Sequence, residues 1–205
     1  MSQALYRLLE WITRFAYINL LWIAFTLVGA VIFGLFPATI AMFTVIRKWI
    51  IGEHDQPIFP SFWKVYKAEF IKGNLLAIWI YIAFVIIGYN LFFLYLNIGQ
   101  QLTWATAPLF AGMILFVLFL FYLFPAYVHF ELKTLPLIKN TFLIMLVSPL
   151  QSLAMLISIG SSSLIVYVFP AIAFIFGASF YGFLTLWFAI KAFNKIQDKQ
   201  QLGQS

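Results

Sequence analysis

The sequence predicts an all-α bundle that crosses a membrane several times, and three observations support this. No charged residue lies between Arg14 and Arg47. No Asp, Glu, Lys, Arg or His occurs from Gly73 to Val128, or from Asn140 to Ile190. One crossing of the hydrocarbon core takes about 20 apolar residues, so uncharged stretches of 32, 56 and 51 positions each exceed a single span. Composition agrees: 64% of the residues are hydrophobic and 9% charged, against about 25% charged in an average soluble domain. The third observation is a 20% aromatic content, with 25 Phe, 10 Tyr and 7 Trp. Phe suits lipid-facing and packing positions, and Trp and Tyr settle at headgroup level.

Length and charge narrow the reading further. The 205 residues fit one transmembrane domain, and the absence of Cys excludes disulfides, thiolate metal sites and thiol nucleophiles. The net charge of +6 is dispersed among short segments between apolar stretches. Lys and Arg in such places are attracted to anionic lipid, so the bilayer is the expected partner and nucleic acid is not.

Residues 1–14 form an amphipathic lead-in. Leu5, Leu8, Leu9, Ile12 and Phe15 recur at helical spacing, and Glu10 and Arg14 stand four apart as a favourable pair. The apolar stretch behind them is too long for a signal peptide and leads into more membrane, so no cleavage is expected. As one helix, 15–46 would measure about 48 Å, longer than the hydrocarbon core of about 30 Å. Pro37 is suited to a first helical turn, which divides the stretch into a span at 16–34 and a short second helix at 37–51. One kinked helix, and five spans in all, is the alternative.

Residues 52–73 read as a hydrophilic loop. Within it, Pro60 and Ser61 open a helix that carries Phe62, Tyr66 and Phe70 at four-residue intervals, with Trp63 alongside and Lys64 and Lys67 elsewhere. Aromatics flanked by Lys predict an amphipathic helix lying in the membrane interface. A docking helix for a cytoplasmic partner is the competing reading. Further spans are expected at 74–97, 104–130, 141–166 (with Pro149 as a kink or break) and 170–191, where Pro170 opens the last helix, followed by a frayed tail at 192–205.

Orientation follows from Lys and Arg. Lys64, Lys67 and Lys72 lie in one loop, Lys133 and Lys139 in another, and Lys191, Lys195 and Lys199 beyond the last span, whereas the links near 97–103 and 167–170 carry none. That pattern places both termini in the cytoplasm, with the charged loops, and requires an even number of crossings.

The stretches "NLLWIAFTLVGAVIFGLFPATIAMFTVIRKWIIGE", "FWKVYKAEFIKGN" and "YLFPAYVHFELKTLPLIKN" resemble the YesL-like family of bacterial, mainly Gram-positive, integral membrane proteins. The resemblance runs in order through nearly the whole chain. It implies an accessory role in carbohydrate uptake, beside an ATP-binding-cassette sugar importer, and supplies no catalytic residues.

Several local features compete for a functional role. Phe-Pro-Ala occurs at 36–38, 124–126 and 169–171, so Pro37, Pro125 and Pro170 could mark an internal repeat of the kind found in transporters, or simply helix starts and kinks. His129 and Glu131 make a possible polar site at a span end, although residues two apart do not share a helix face. Glu53, His54 and Asp55 are consecutive and match none of the usual zinc or calcium spacings, and no GxSxG, HExxH or phosphate-loop motif occurs. No cofactor or metal is expected, and an enzyme is the least favoured class. The expected spans hold neutral polar groups such as Asn19, Thr26, Asn90 and the Ser161–Ser163 run. Ion-coupled transporters keep a charge at depth. The sequence therefore favours a non-enzymatic accessory or assembly subunit, with a small stand-alone transporter or channel for a neutral solute as the alternative.

Overall fold

Gly29 and Gly34 determine where the first hairpin turns. In the computed structural model, which describes residues 3–96, 103–130 and 132–202, helix α1 (Gln3–Val28) ends at Gly29-Ala30-Val31. Helix α2 (Ile32–Ile50) starts directly after it. A Cβ placed on Gly29 would lie 2.2 Å from the Cα of Gly34, and one on Gly34 would lie 2.4 Å from the carbonyl oxygen of Thr26. The backbones meet this closely only because both residues lack side chains. The turn is tight: Ala30 has φ 54° and Val31 φ 64° with ψ −62°. The N–H of Ile32 donates to the carbonyl of Ala30 at 2.8 Å, which makes the rare γ-turn form.

The hairpin expected from the uncharged stretch is present, but Pro37 does not open its second helix. Pro37 lies buried inside α2, one residue past its first five, and the helix continues through it. A proline there leaves the carbonyl four residues earlier without its donor. That carbonyl belongs to Phe33, and it accepts a hydrogen bond from the Asn74 side chain at 2.9 Å. The proline is accommodated by a neighbouring helix.

The 52–73 loop is also shorter than expected. Helix α3 (Ile58–Leu96) runs unbroken for 39 residues, about 58 Å at 1.5 Å per residue, so the aromatic segment and the following span form one rod. The lead-in at 3–14 is likewise continuous with α1, and its Glu10–Arg14 pair is formed at 2.6 Å. Helix α4 (Thr103–His129) agrees with the expected span and contains Pro108 and Pro125. The expected 141–166 span is two helices, α5 (Thr134–Val147) and α6 (Pro149–Val168). Pro149 is the first residue of α6, so it breaks the helix rather than kinking it. Pro170 opens α7 (Pro170–Leu202) as expected, but that helix extends through most of the supposed tail and buries Ala192 and Phe193. The uncharged link expected near 97–103 lies almost wholly outside the described residues.

Six of these helices (α1, α2, α3, α4, α6 and α7) are long and apolar enough to cross a membrane, whereas α5 is a shorter apolar helix. Helix α2 is the hub, packing against α1, α3, α4 and α7. One apolar cluster fills the space between α1, α2, the start of α3 and α7, around Ile18, Met42, Ile46, Phe62 and Leu186. A second joins α3 to α4–α7 around Leu76, Tyr122, Leu137, Met155 and Phe193. Phe36 and Phe43 of α2 both touch Phe124 of α4, at ring centroid distances of 5.5 and 5.6 Å, and link the two clusters.

Candidate functional site

Polar side chains gather in two places: where α3 meets the hairpin, and at the charged end of the bundle. At the first, three residues of α3 reach carbonyls flanking the 29–31 turn. The Tyr66 hydroxyl donates to Phe25 O at 3.1 Å, Asn74 donates to Phe33 O, and the Tyr81 hydroxyl donates to Ile32 O at 2.8 Å. Nearby, Asn19 of α1 donates to Phe174 O at 2.8 Å and accepts from the N–H of Ser179 at 3.1 Å, which fastens α1 to α7. Ser152 of α6 donates to the hydroxyl of Tyr122 at 3.1 Å. In an apolar surrounding such bonds hold helices together, because the alternative is an unsatisfied polar group.

The aromatic stripe divides between these surroundings. Phe62 and Tyr66 are buried, and their rings lie 5.3 and 4.9 Å from that of Phe25 on α1. Trp63 and Phe70 are exposed, and Trp63 carries Lys67 at 4.8 Å over its ring. The interfacial expectation is therefore corrected for Phe62 and Tyr66, which form a helix-packing seam. An i, i+4 row of aromatics looks the same in sequence whether it faces lipid or a neighbouring helix. Lys64 remains exposed at the start of α3.

At the charged end, the Arg14 guanidinium bonds Glu10 and the carbonyl of His54 at 2.8 Å, and the His54 ring stands edge-on to Trp11 at 5.3 Å. Lys48 donates to Gln56 Oε1 at 2.6 Å, beside an open cleft of about 380 Å³ lined by Lys48, Gln56, Ser61, Lys64 and Glu69. Glu69 accepts from the Tyr127 hydroxyl at 2.6 Å, and Lys191 lies 3.4 Å over the Trp187 ring. His129 sits between Phe130 and Phe193, at 4.8 and 4.9 Å, near enough to Arg47 for the charge to be felt. Glu131, the other half of that expected polar site, lies outside the described residues.

The Phe-Pro-Ala copies do not share one structural role. Pro37 and Pro125 are inside helices, whereas Pro170 is the first residue of one. Two of their phenylalanines, Phe36 and Phe124, nevertheless meet in the core. The sequence reading missed the three hydrogen bonds from α3 to the hairpin. A usable signal was present: Asn74 stands at the edge of an uncharged stretch, where a polar side chain needs a partner.

Three relatives from Bacillus subtilis (strain 168) match the chain. It is 34% identical to the uncharacterized protein YesV over 201 residues, 96% of this chain and 94% of YesV. It is 30% identical to the uncharacterized protein YesL over 196 residues, covering 93% and 90%. A model of the DUF624 family, described as a protein of unknown function, matches residues 15–91. The chain belongs to this family. A third relative, the uncharacterized protein YteU, is 44% identical over 138 residues, 67% of this chain and 62% of YteU. No solved structure matches. The segment matched by the family model takes in α1 from Phe15 onward, all of α2, the charged 51–57 link and α3 as far as Leu91.

Proposed function

We propose that the protein is a non-enzymatic accessory or assembly subunit of a membrane complex. Its partner in this reading is an ATP-binding-cassette importer of sugars, the association that the YesL-like resemblance implies. The observation that carries the reading is the use made of the polar groups inside the bundle. Asn19, Tyr66, Asn74, Tyr81 and Ser152 are all engaged in bonds that hold helices together, and none of them lines the open clefts of about 250 to 390 Å³. A transport pathway for a sugar needs polar groups turned towards the solute. The protein sits in the cell membrane with both termini in the cytoplasm, following the distribution of Lys and Arg.

The test has two arms. Purified protein in liposomes should move no sugar, with or without an imposed gradient. In cells, its deletion should lower the abundance or activity of an ATP-binding-cassette sugar importer, and the two should co-purify in mild detergent. Saturable sugar uptake by the protein alone would overturn the accessory reading and establish the transporter alternative.

A further inference from the structure

We infer that the cleft between the end of α2 and the start of α3 is a headgroup site for a phospholipid that carries both a phosphate and a primary ammonium. The opening of about 380 Å³ is lined by Lys48 of α2, by Gln56 of the link, and by Ser61, Lys64 and Glu69 of α3. Two cations and one carboxylate thus face one space, yet they do not neutralise each other. Among the described residues the one ion pair is Glu10–Arg14, so neither Lys48 nor Lys64 is paired with Glu69. Separated charges of both signs around one opening are complementary to a ligand that carries both signs itself.

Two of these groups are held in place with bonding capacity to spare. Lys48 gives one N–H to Gln56 Oε1 at 2.6 Å, and an ammonium has three to give. Glu69 accepts from the Tyr127 hydroxyl at Oε2, which fixes the carboxylate and leaves Oε1 for a ligand. A phosphate fits the two lysines and the Ser61 hydroxyl, and an adjacent primary ammonium fits Glu69. A purely anionic headgroup would meet the Glu69 carboxylate with the wrong sign. A trimethylammonium has the right sign but no N–H to donate.

The same face of α3 points to a lipid rather than a soluble phosphate. In steps of four and three residues from Lys64 come Ala68, Ile71, Leu75, Ile78 and Ile82, which share one side of the helix. Ile71 is 73% exposed, and Leu75, Ile78 and Ile82 are about half exposed. From Lys64 to Ile82 the helix rises about 27 Å, more than one leaflet's half of a hydrocarbon core of about 30 Å. A headgroup in the cleft therefore leaves its acyl chains along an apolar track that begins beside it. Any phospholipid gains that track equally, so selection falls to the headgroup.

The test uses the full chain, purified in mild detergent and given equal amounts of phosphatidylethanolamine, phosphatidylglycerol and phosphatidylcholine with identical acyl chains. Native mass spectrometry reads which lipids are retained. The wild-type protein should hold phosphatidylethanolamine in excess over both others. Glu69→Gln can still accept from Tyr127, and it should reduce the excess over phosphatidylglycerol by about threefold, the scale of one partly exposed charge contact. Lys48→Gln combined with Lys64→Gln should lower retention of all three lipids, whereas Lys191→Gln, at a lysine that does not line the cleft, should leave retention unchanged. Excess inorganic phosphate should not release the bound lipid. Equal retention of the three lipids by the wild type, or an unchanged preference in Glu69→Gln, overturns the inference. So does release by phosphate, or an effect of Lys191→Gln as large as that of the cleft lysines.

Discussion

Pro37 takes one donor away from α2, and Asn74 supplies one from α3. The Phe33 carbonyl, four residues before the proline, would otherwise be unsatisfied next to the 29–31 turn. Asn74→Ala should therefore destabilise the protein by about 1 kcal/mol, the usual scale for a hydrogen bond between membrane helices. The cost should depend on the residue at 37. With Pro37→Ala, α2 regains its own N–H donor, so adding Asn74→Ala should cost clearly less than it does beside proline. A double-mutant cycle on unfolding in detergent measures the difference. Equal costs in both backgrounds would show that Asn74 acts through its second acceptor, the Phe70 carbonyl of its own helix.

Within the first three helices, much of the order was legible and the points of contact were not. The hairpin follows from a 32-residue uncharged stretch and from the charge pattern, but its turn was assigned to the proline rather than to Gly29. Pro37 has a strong local signature. The effect of Gly29 and Gly34 is a mutual approach of two backbones, invisible until both helices are placed. Gly34→Ala should accordingly be costly. Its Cβ would fall 2.4 Å from the Thr26 oxygen and 2.6 Å from the Phe25 oxygen, both backbone atoms that cannot swing aside, and overpacking of this kind costs about 1–3 kcal/mol or more. The midpoint of thermal unfolding should fall, and a wild-type midpoint would refute the close approach. Phe62 and Trp63 provide a second contrast on α3. Phe62→Ala removes a fully buried ring and should cost about 3 kcal/mol. Trp63→Ala, on the exposed side of the same turn, should cost much less. Equal losses would restore the interfacial reading of the stripe.

Across the whole molecule, cohesion is uneven. Helix α2 is enclosed by four others, and Phe124 brings α4 against it through Phe36 and Phe43. The far halves of α3 and α4 are less enclosed: Phe84 is about half exposed and meets Phe116 edge-on at 5.4 Å. Sequence alone made these regions look alike, since Phe84 and Phe124 belong to the same 56-residue uncharged stretch. Lipid-facing and core phenylalanines have the same composition signature, because acyl chains are as apolar as a protein core. In a bilayer, the partly buried Phe124 ring, packed against both clusters, loses more packing on truncation, since lipid can refill the space beside the exposed Phe84. Phe124→Ala should therefore cost about 3 kcal/mol or more, and Phe84→Ala about 1 kcal/mol or less. Unfolding of each variant in lipid bicelles, monitored by loss of helical signal, gives the comparison. A Phe84→Ala loss as large as that at Phe124 would mean that the outer ends of α3 and α4 are covered by protein in the membrane, through a second copy or a partner.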